Sequence, residues 1–581
     1  YESVNTGEWI STKIRDYYQV DGQPLNERNP KGLQDDYVKF IRFAQWRIEQ
    51  TGYGVLAFVT NHGYLDNPTF RGMRRSLMQT FDEIYILDLH GNSKKKEKGP
   101  DGSKDENVFD IQQGVAIGIF VKRRSAEQDT AVVRHAHLWG LREVFGDNAH
   151  EDKMPDSGKY VWLRENAIET TDWTSLQPQS PFYLFVPQDT NLLAEYDNCR
   201  ELSKIFVING VGIATARDNL TIQDSPEALL NIVKRFALLP PEEARQIFAL
   251  GSDSRDWKVV LAQQDVNEKP ISANLVKKIL YRPFDFRFVY YTGKTRGFVS
   301  MPRYEIMRHM LHPNLALYVG RQGQAVGVDQ WDLLFCGNSI EDYNLYRRGN
   351  NACFPLYIYP SASAKNSFDN DDLALEQNNR HSNLAPAFIA DFSTCLRMTF
   401  VPDGGGDRLQ TFGPEDILHY MYAVFHSPSY RSRYAEFLKI DFPRLPLTSD
   451  AGLFRSLCDL GRELTALHLL EKHSSPATRF PIAGESAVDV VHYTEPGQGS
   501  AVGRVWINKT QFFEGVPPEV WAFHVGGYQV CQKWLKDRKG RQLTYDDITH
   551  YQRIVAALKE TIRLMAEIDR IIDTHGGWPL K

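Results

Sequence analysis

Between Gly52 and Asp66 the chain reads GYGVLAFVTNHGYLD: a glycine turn, an apolar, β-branched run from Val55 to Thr60, and a stop at Asn61-His62-Gly63. Before it, Asp36 to Glu49 spaces Val38, Ile41, Phe43, Ala44, Trp46 and Ile48 among polar residues, which predicts a helix. After it, Asn67 to Thr80 repeats that spacing with Phe70, Met73, Leu77 and Met78. Helix, buried strand, loop, helix is the unit of an open α/β sheet, and ligands of such sheets lie beyond the carboxyl ends of strands. Thr60-Asn61-His62 is placed at such an end. Phe81 to Leu89 and Val115 to Lys122 read as two further strands. Gly91 to Glu106, rich in glycine and lysine, reads as a mobile loop. Arg123 to Asp156 is polar and uneven, with one short amphipathic piece from His135 to Phe145, and reads as a connection.

Beyond Tyr160 strands are expected in YLFVPQD, from Tyr183 and ending at Pro187, at Ile205 to Ile208 and at FPLYIY (Phe354 to Tyr359). A hairpin is one reading of LYRPFDFRFVYY (Leu280 to Tyr291), and Arg303 to Leu311 reads as a helix. Ser361 to Ser382 is polar enough to be a disordered linker. Helical spacing returns at Pro414 to His426, Ser429 to Leu438, Ala451 to Leu470 and Tyr551 to Thr574, with a strand at Arg504 to Asn508. The expected organisation is residues 1–135 as one α/β region, 136–159 as a linker, 160–375 as a β-rich region, 376–413 as a flexible linker and 414–581 as a helical region.

At 581 residues the chain is too long for one ordinary domain, and 42% hydrophobic with 12% aromatic residues is the composition of a packed globular protein. No run is long enough for a membrane helix, and the opening residues, with Glu2, Glu8 and Asp16, do not read as a signal peptide. Six scattered cysteines argue against a zinc site and fit reduced thiols in the cytoplasm. A net charge of −6 means that any nucleic-acid surface must be a local basic patch.

Gly210-Val211-Gly212 follows an expected strand but lacks the third glycine of a dinucleotide fingerprint, and Gly293-Lys294-Thr295 lacks the first glycine of a phosphate loop. Arg282 and Arg287 either bind phosphate or guanine edges or pair with Asp285 to hold the hairpin together. Arg321, Gln322, Asn338, Asn344, Arg347 and Arg348 have the side chains of bidentate base contacts, and are also ordinary polar loop residues. Lys533, Lys536, Arg538, Lys539 and Arg541 around Trp534 form the densest basic cluster, suited to a phosphate backbone or to a solvated helix end.

The segments GYGVLAFVTNHGYLD, NVFDI (Asn107 to Ile111) and VAIGIFVK, together with HSPSYRSRYAEFLKIDFPRLPLT (His426 to Thr448) and GGYQVCQKWLKDRKGR (Gly526 to Arg541), resemble the Type ISP restriction-modification proteins over essentially the whole chain. That resemblance implies an α/β fold: a partial Rossmann-like methyltransferase domain followed by a mixed α+β target recognition domain. It implies adenine-specific DNA methylation from S-adenosylmethionine, on a base flipped out of the duplex. In the family an N-P-P-Y motif directly precedes a segment like Glu2 to Trp9. The chain opens with Tyr1, so Tyr1 corresponds to the motif's tyrosine and stacks on the flipped adenine. The resemblance makes Phe109 a second stacking residue, against the alternative of core packing beside a strand. Arg217 becomes a DNA contact, with Arg282, Arg321, Gln322, Asn344, Arg347, Lys533, Lys536, Arg538 and Lys539. Without Asn-Pro-Pro and the family's glycine-rich cofactor loop, the chain is expected to be a fragment, inactive alone, with most of the cofactor pocket elsewhere. Its expected partners are double-stranded DNA and the upstream nuclease, helicase and methyltransferase regions, in the same protein or in a separate subunit. The alternative is a DNA-binding specificity module without catalysis of its own.

Overall fold

Helix α1 (Asp36–Thr51) ends where Gly52 turns left-handed, φ +75°, and its N–H closes on the Ile48 carbonyl at 2.9 Å, a conformation that glycine adopts without a Cβ penalty. The computed structural model describes residues 4–25, 27, 30–124, 131–145, 154–326, 330–348, 351–360, 380–472, 478–497 and 501–581. They fall into two units, Tyr1–Thr190 and Asn191–Lys581.

In the first unit α1 is followed by β1 (Gly54–Asn61), α2 (Arg71–Thr80), β2 (Glu83–His90), β3 (Val115–Lys122), β4 (Val132–His137), α3 (Lys159–Glu165) and β5 (Thr174–Leu176). The sheet order is β1-β3-β2-β4-β5. β3 is antiparallel to β1 and β2, and β4 is parallel to β2. Strands β1, β2 and β4 therefore point the same way. The expected buried strand is instead an edge strand: one of its faces is open, with Val55 63% and Val59 43% exposed. An apolar run cannot say whether a neighbour will pair on both sides, and here only β3 does so among the described residues.

Two expectations fail next to this sheet. Residues 136–159 are no simple linker, since His135 to His137 complete β4 and Lys159 starts α3, so the stretch read as amphipathic begins as a strand. Tyr183 to Asp189 forms no strand. Tyr183 is left-handed (φ +49°), and the Phe182 and Tyr183 carbonyls, with those of Tyr64 and Asn67, are taken by the fully buried guanidinium of Arg74. A ladder was not needed to satisfy that backbone.

The second unit contains two four-stranded sheets and a helical layer. Their strands are β6 (Gly210–Val211), β7 (Ile222–Gln223), β8 (Val276–Arg282), β9 (Asp285–Tyr290), β10 (Ala316–Val319), β11 (Leu334–Gly337), β12 (Ile340–Glu341) and β13 (Ala352–Pro355). The orders are β7-β9-β8-β12 and β11-β10-β13-β6. Its helices include α4 (Pro226–Leu238), α5 (Pro386–Leu396), α6 (Pro414–His426), α7 (Ala451–His468), α8 (Val530–Lys536) and α9 (Tyr545–Thr574). α9 starts in a capping box in which Thr544 and Asp547 satisfy one another's backbone N–H. Ile205, expected in a strand, closes a short helix, Leu202–Ile205. Of the expected linkers, residues 361–379 lie outside the described residues. Within 376–413, α5 buries Phe388, Phe392 and Leu396 at helical spacing, which corrects the reading of that stretch as flexible.

Helix α6 is buried nearly all round and packs on α7 across Gly461. A Cβ there would lie 1.9 Å from the His419 carbonyl oxygen. Alanine in a helix interior ordinarily gains about 1 kcal/mol over glycine. Here that sign reverses: Gly461→Ala is expected to cost about 2 kcal/mol or more by overpacking, read as a lower urea midpoint at unchanged slope.

Candidate nucleic-acid interface

Because β1, β2 and β4 are parallel to one another, their carboxyl ends gather Asn61 and His62, Asp88 to His90, and His137 along one edge of the first unit's sheet. Asn107 fixes the loop at this edge. Its side chain donates to the Gly91 and Gln113 carbonyls at 3.2 and 2.6 Å and accepts from the Phe109 N–H at 2.8 Å. Phe109 itself is 48% exposed, with Ile111 47% exposed beside it in sequence, which removes the core-packing alternative for Phe109. Lys94, Lys95, Lys96 and Lys98 are also exposed. Tyr1 lies outside the described residues.

The 91–106 segment, expected to be a mobile loop, is anchored at its stem. Asp105 accepts from the Gly91 and Gly140 N–H groups at 2.6 and 2.8 Å and pairs with Lys159 Nζ at 2.7 Å, both side chains fully buried. Lys159 also donates to the Leu89 and Glu106 carbonyls.

Sequence reading passed over a cluster behind that edge. His62 Nδ1 lies 3.0 Å from Asp88 Oδ1, and His90 Nδ1 lies 2.9 Å from Glu97 Oε1. His90 Nε2 faces His137 Nδ1 at 2.9 Å, and His90 stacks on Trp139. Burial pulls the His62 pKa down, but the hydrogen bond and charge of Asp88 outweigh it and the net shift is upward. Burial likewise pushes Asp88 up, while His62 and His90 hold it well below the usual carboxylate range. His135 is pulled down to about 3 by burial and then by His137. The available signal was His-x-His at the end of one apolar run and Asp-x-His at the end of another, and the scattered cysteines do not bear on it.

In the second unit the basic residues separate into buried and open ones. Arg282 is buried and pairs with Asp342 at 2.8 Å, lying over the Tyr281 ring. Arg287 pairs with Asp285 at 3.0 Å, as one of the two readings had it. Arg538 is buried too: it donates to Asp285 at 2.8 Å and to the Trp534 carbonyl at 2.9 Å, with its guanidinium 3.5 Å from the Trp534 ring centre. Arg282 and Arg538 are therefore corrected from DNA contacts to structural cations, because carboxylates already hold them inside the unit. Arg541 is bound to Asp224 and Asp547, and Lys533 to Asp537. Lys536, whose Nζ donates to Gln532 at 2.8 Å, and Lys539 remain exposed. The continuous basic run in sequence is thus two open lysines in space.

Arg217 lies over Trp257 and donates to the Ala216 and Ser252 carbonyls. Arg321 pairs with Asp441 at 3.0 Å over Phe442. Gln322 opens a short 3-10 turn and is half-buried. The Asn344 N–H donates to Asp342, and its side chain is half-buried. Arg347 is half-buried, its backbone bridging the Gly526 carbonyl and the Val326 N–H, and makes no ion pair with a described residue.

The chain is thus a two-unit protein of mixed α/β class, with an exposed aromatic at the strand ends of one unit and partly sequestered cations in the other. Residues 204–567 match the family model of the Type ISP C-terminal specificity domain, and the chain belongs to that family. No curated protein matches it. Among solved structures it is similar to the ATP-dependent Type ISP restriction-modification enzyme LlaBIII bound to DNA, at 18% identity and TM-score 0.69, covering 97% of this chain and 35% of that one. It is similar to a nuclease-deletion mutant of the Type ISP enzyme LlaGI in complex with a DNA substrate mimic, at 20% identity and TM-score 0.64, covering 96% and 42%. A DrdV–DNA complex matches at 19% identity and TM-score 0.67, covering 96% and 54%. The chain spans between about a third and just over half of the length of these structures. Among the described residues no helix is long and apolar enough to cross a membrane.

The buried Asp285 site yields a test. Burial alone would raise its pKa, but Arg538 and Arg287 hold it below the ordinary carboxylate range. A depressed carboxylate contributes stability that is present above the unfolded-state pKa, about 3.9, and is lost as pH falls through the lower folded value. Arg538→Ala is expected to lower the unfolding free energy by about 3–5 kcal/mol near neutral pH, because it leaves a buried charge short of a partner. That deficit should shrink below about pH 4, whereas Lys536→Ala should stay within about 0.5 kcal/mol of wild type throughout. Urea titrations at several pH values check both.

Proposed function

We propose that the chain is the DNA-recognition part of a restriction-modification enzyme: the second unit reads a target sequence in double-stranded DNA, and the first belongs to an adenine-specific methyltransferase domain. The match of residues 204–567 to a specificity-domain family carries this reading. The similar solved structures are DNA complexes, which supports DNA as the partner. On this reading the molecule works in the cytoplasm.

For the first unit the supporting observation is Phe109, held out at the strand ends by Asn107 and half open to solvent. An aromatic face in that position suits a base removed from its stack, which needs a surface to replace its former neighbours. Phe109 would hold the adenine, and Tyr1 would do so from the other face. The methyl donor is S-adenosylmethionine. At the end of β2, Gly91 sits so close to Asn107 that a Cβ would lie 2.3 Å from its Cα. No residue of this chain is assigned to the cofactor. The upstream nuclease, helicase and methyltransferase regions, in the same protein or a separate subunit, are the remaining partners. The outer edge of β1, with Val55 and Val59 exposed and no strand paired to it among the described residues, suits such a neighbour.

The second reading is a specificity module without catalysis of its own, which the match of residues 204–567 to a specificity-domain family also supports. Calorimetry with S-adenosylmethionine and methyl transfer to unmethylated DNA separate the two, and turnover by the chain removes the module reading.

In binding titrations against cognate and scrambled duplexes at several salt concentrations, Lys536→Ala with Lys539→Ala is expected to weaken both alike. It should reduce the slope of log K against log salt by about one unit for each phosphate that is no longer neutralised. Arg347→Ala, which breaks no ion pair with a described residue, is expected to reduce the cognate preference by about 1–3 kcal/mol. An unchanged cognate-to-scrambled ratio would remove Arg347 from base readout.

A further inference from the structure

We propose that Asp88, His135 and His137 form a binding site for one divalent transition-metal cation of the zinc type. The register brings them together. Strands β2 and β4 run parallel with Ile86 opposite His135 and Asp88 opposite His137. Since side chains alternate along a strand, the carboxylate and both imidazoles stand on one face of the sheet. One ligand atom from each of the three lies within 4.8 Å of the other two. Around a tetrahedral zinc ion with bonds of about 2.0–2.1 Å the donors stand roughly 3.4 Å apart, so a small closure is enough.

The second observation is His135. It is fully buried, and neither ring nitrogen has a hydrogen-bond partner among the described residues. An unsatisfied buried polar group costs on the order of 1–3 kcal/mol, and a metal ion would satisfy it. The groups around the triad fit the role of supports. His62 holds one oxygen of Asp88, and His90 occupies one nitrogen of His137. Such contacts orient ligands in metal sites. His137 is exposed and supplies a path of entry. At the end of β2 the register shifts between Asp88 and His90, and His90 takes a left-handed φ of +54°. Strained backbone of this kind collects at functional sites. A second triad, His62, Asp88 and His90, is also close enough to hold an ion. Its imidazoles, however, already have partners in Asp88, Glu97 and His137, so the unpartnered His135 decides for the first triad. The ion would tie β2 to β4 just behind the edge that carries Phe109.

The experiment uses the whole chain, stripped with EDTA, desalted and titrated with Zn²⁺ and with Co²⁺. Wild type is expected to bind about one equivalent at micromolar or tighter affinity, to show a visible Co²⁺ absorption band of a low-coordinate nitrogen–oxygen site, and to melt at a higher temperature with Zn²⁺. His135→Ala and His137→Ala should lose the band, the stoichiometric binding and the zinc-dependent shift, while His62→Ala, which removes a support of Asp88 but no ligand, should keep the band with an affinity weakened by about 10–100-fold. His137 is exposed, so His137→Ala should melt like wild type without metal, which separates loss of the site from loss of the fold. Wild type that binds no stoichiometric metal overturns the proposal. So does a His137→Ala protein that keeps the band, or a His62→Ala protein that loses it while His137→Ala does not.

Discussion

The buried carboxylate of Asp285 is the point on which the second unit turns. It opens β9 directly after the β8–β9 turn and is paired both with Arg287, two residues on, and with Arg538, far along the chain. The turn is held on other sides as well. Phe284 is buried with a left-handed φ of +62° and packs against Phe335 and His468, and its carbonyl lies 2.8 Å from His550 Nε2. Arg282 is fixed by Asp342. A charge removed from water is tolerated only when its partners are in place, so the sheet and the helices α8 and α9 specify one another through this group.

The same constraint explains why the basic cluster near the carboxyl end does not act as one surface. Arg538 and Arg541 lie among Asp224, Asp285 and Asp547, where they balance acidic groups. What stays open to solvent is the outward face, Lys536 and Lys539. Arginine is the residue suited to the inner task, because its planar donor fork can satisfy two acceptors while its face lies on Trp534. Lysine, a compact and strongly hydrated charge, stays outside.

In the first unit the ordering element is strand direction. Three parallel strands bring their ends to one edge, and a buried lysine, Lys159, sews the long lysine-bearing loop to that edge through Asp105. The stem of the loop is therefore fixed while its lysines face solvent, an arrangement suited to a charged polymer passing over an exposed aromatic.

Much of this was legible in the sequence wherever a local rule applied. Helices α1, α6 and α7 follow from apolar residues at helical spacing, and so does α9 from Tyr551 onward, although its capped start at Tyr545 lies six residues before the expected one. The strands β1, β2 and β3 follow from their apolar, β-branched runs, and the likeness to Type ISP proteins followed from long segments. Tertiary structure alone decided the rest. Whether β1 lies inside the sheet or at its edge depends on a neighbour that its own residues do not name. Arg538 and Lys536 look alike in sequence, and only packing makes one a buried partner of Asp285 and the other an open cation. Asp88 meets His135 and His137 because two distant strands pair in one register of several, and a shift by a single residue would turn the imidazoles to the opposite face. Local sequence carries periodicity and caps, which act over a few residues. Pairing, register and burial are set by contacts between residues far apart in the chain.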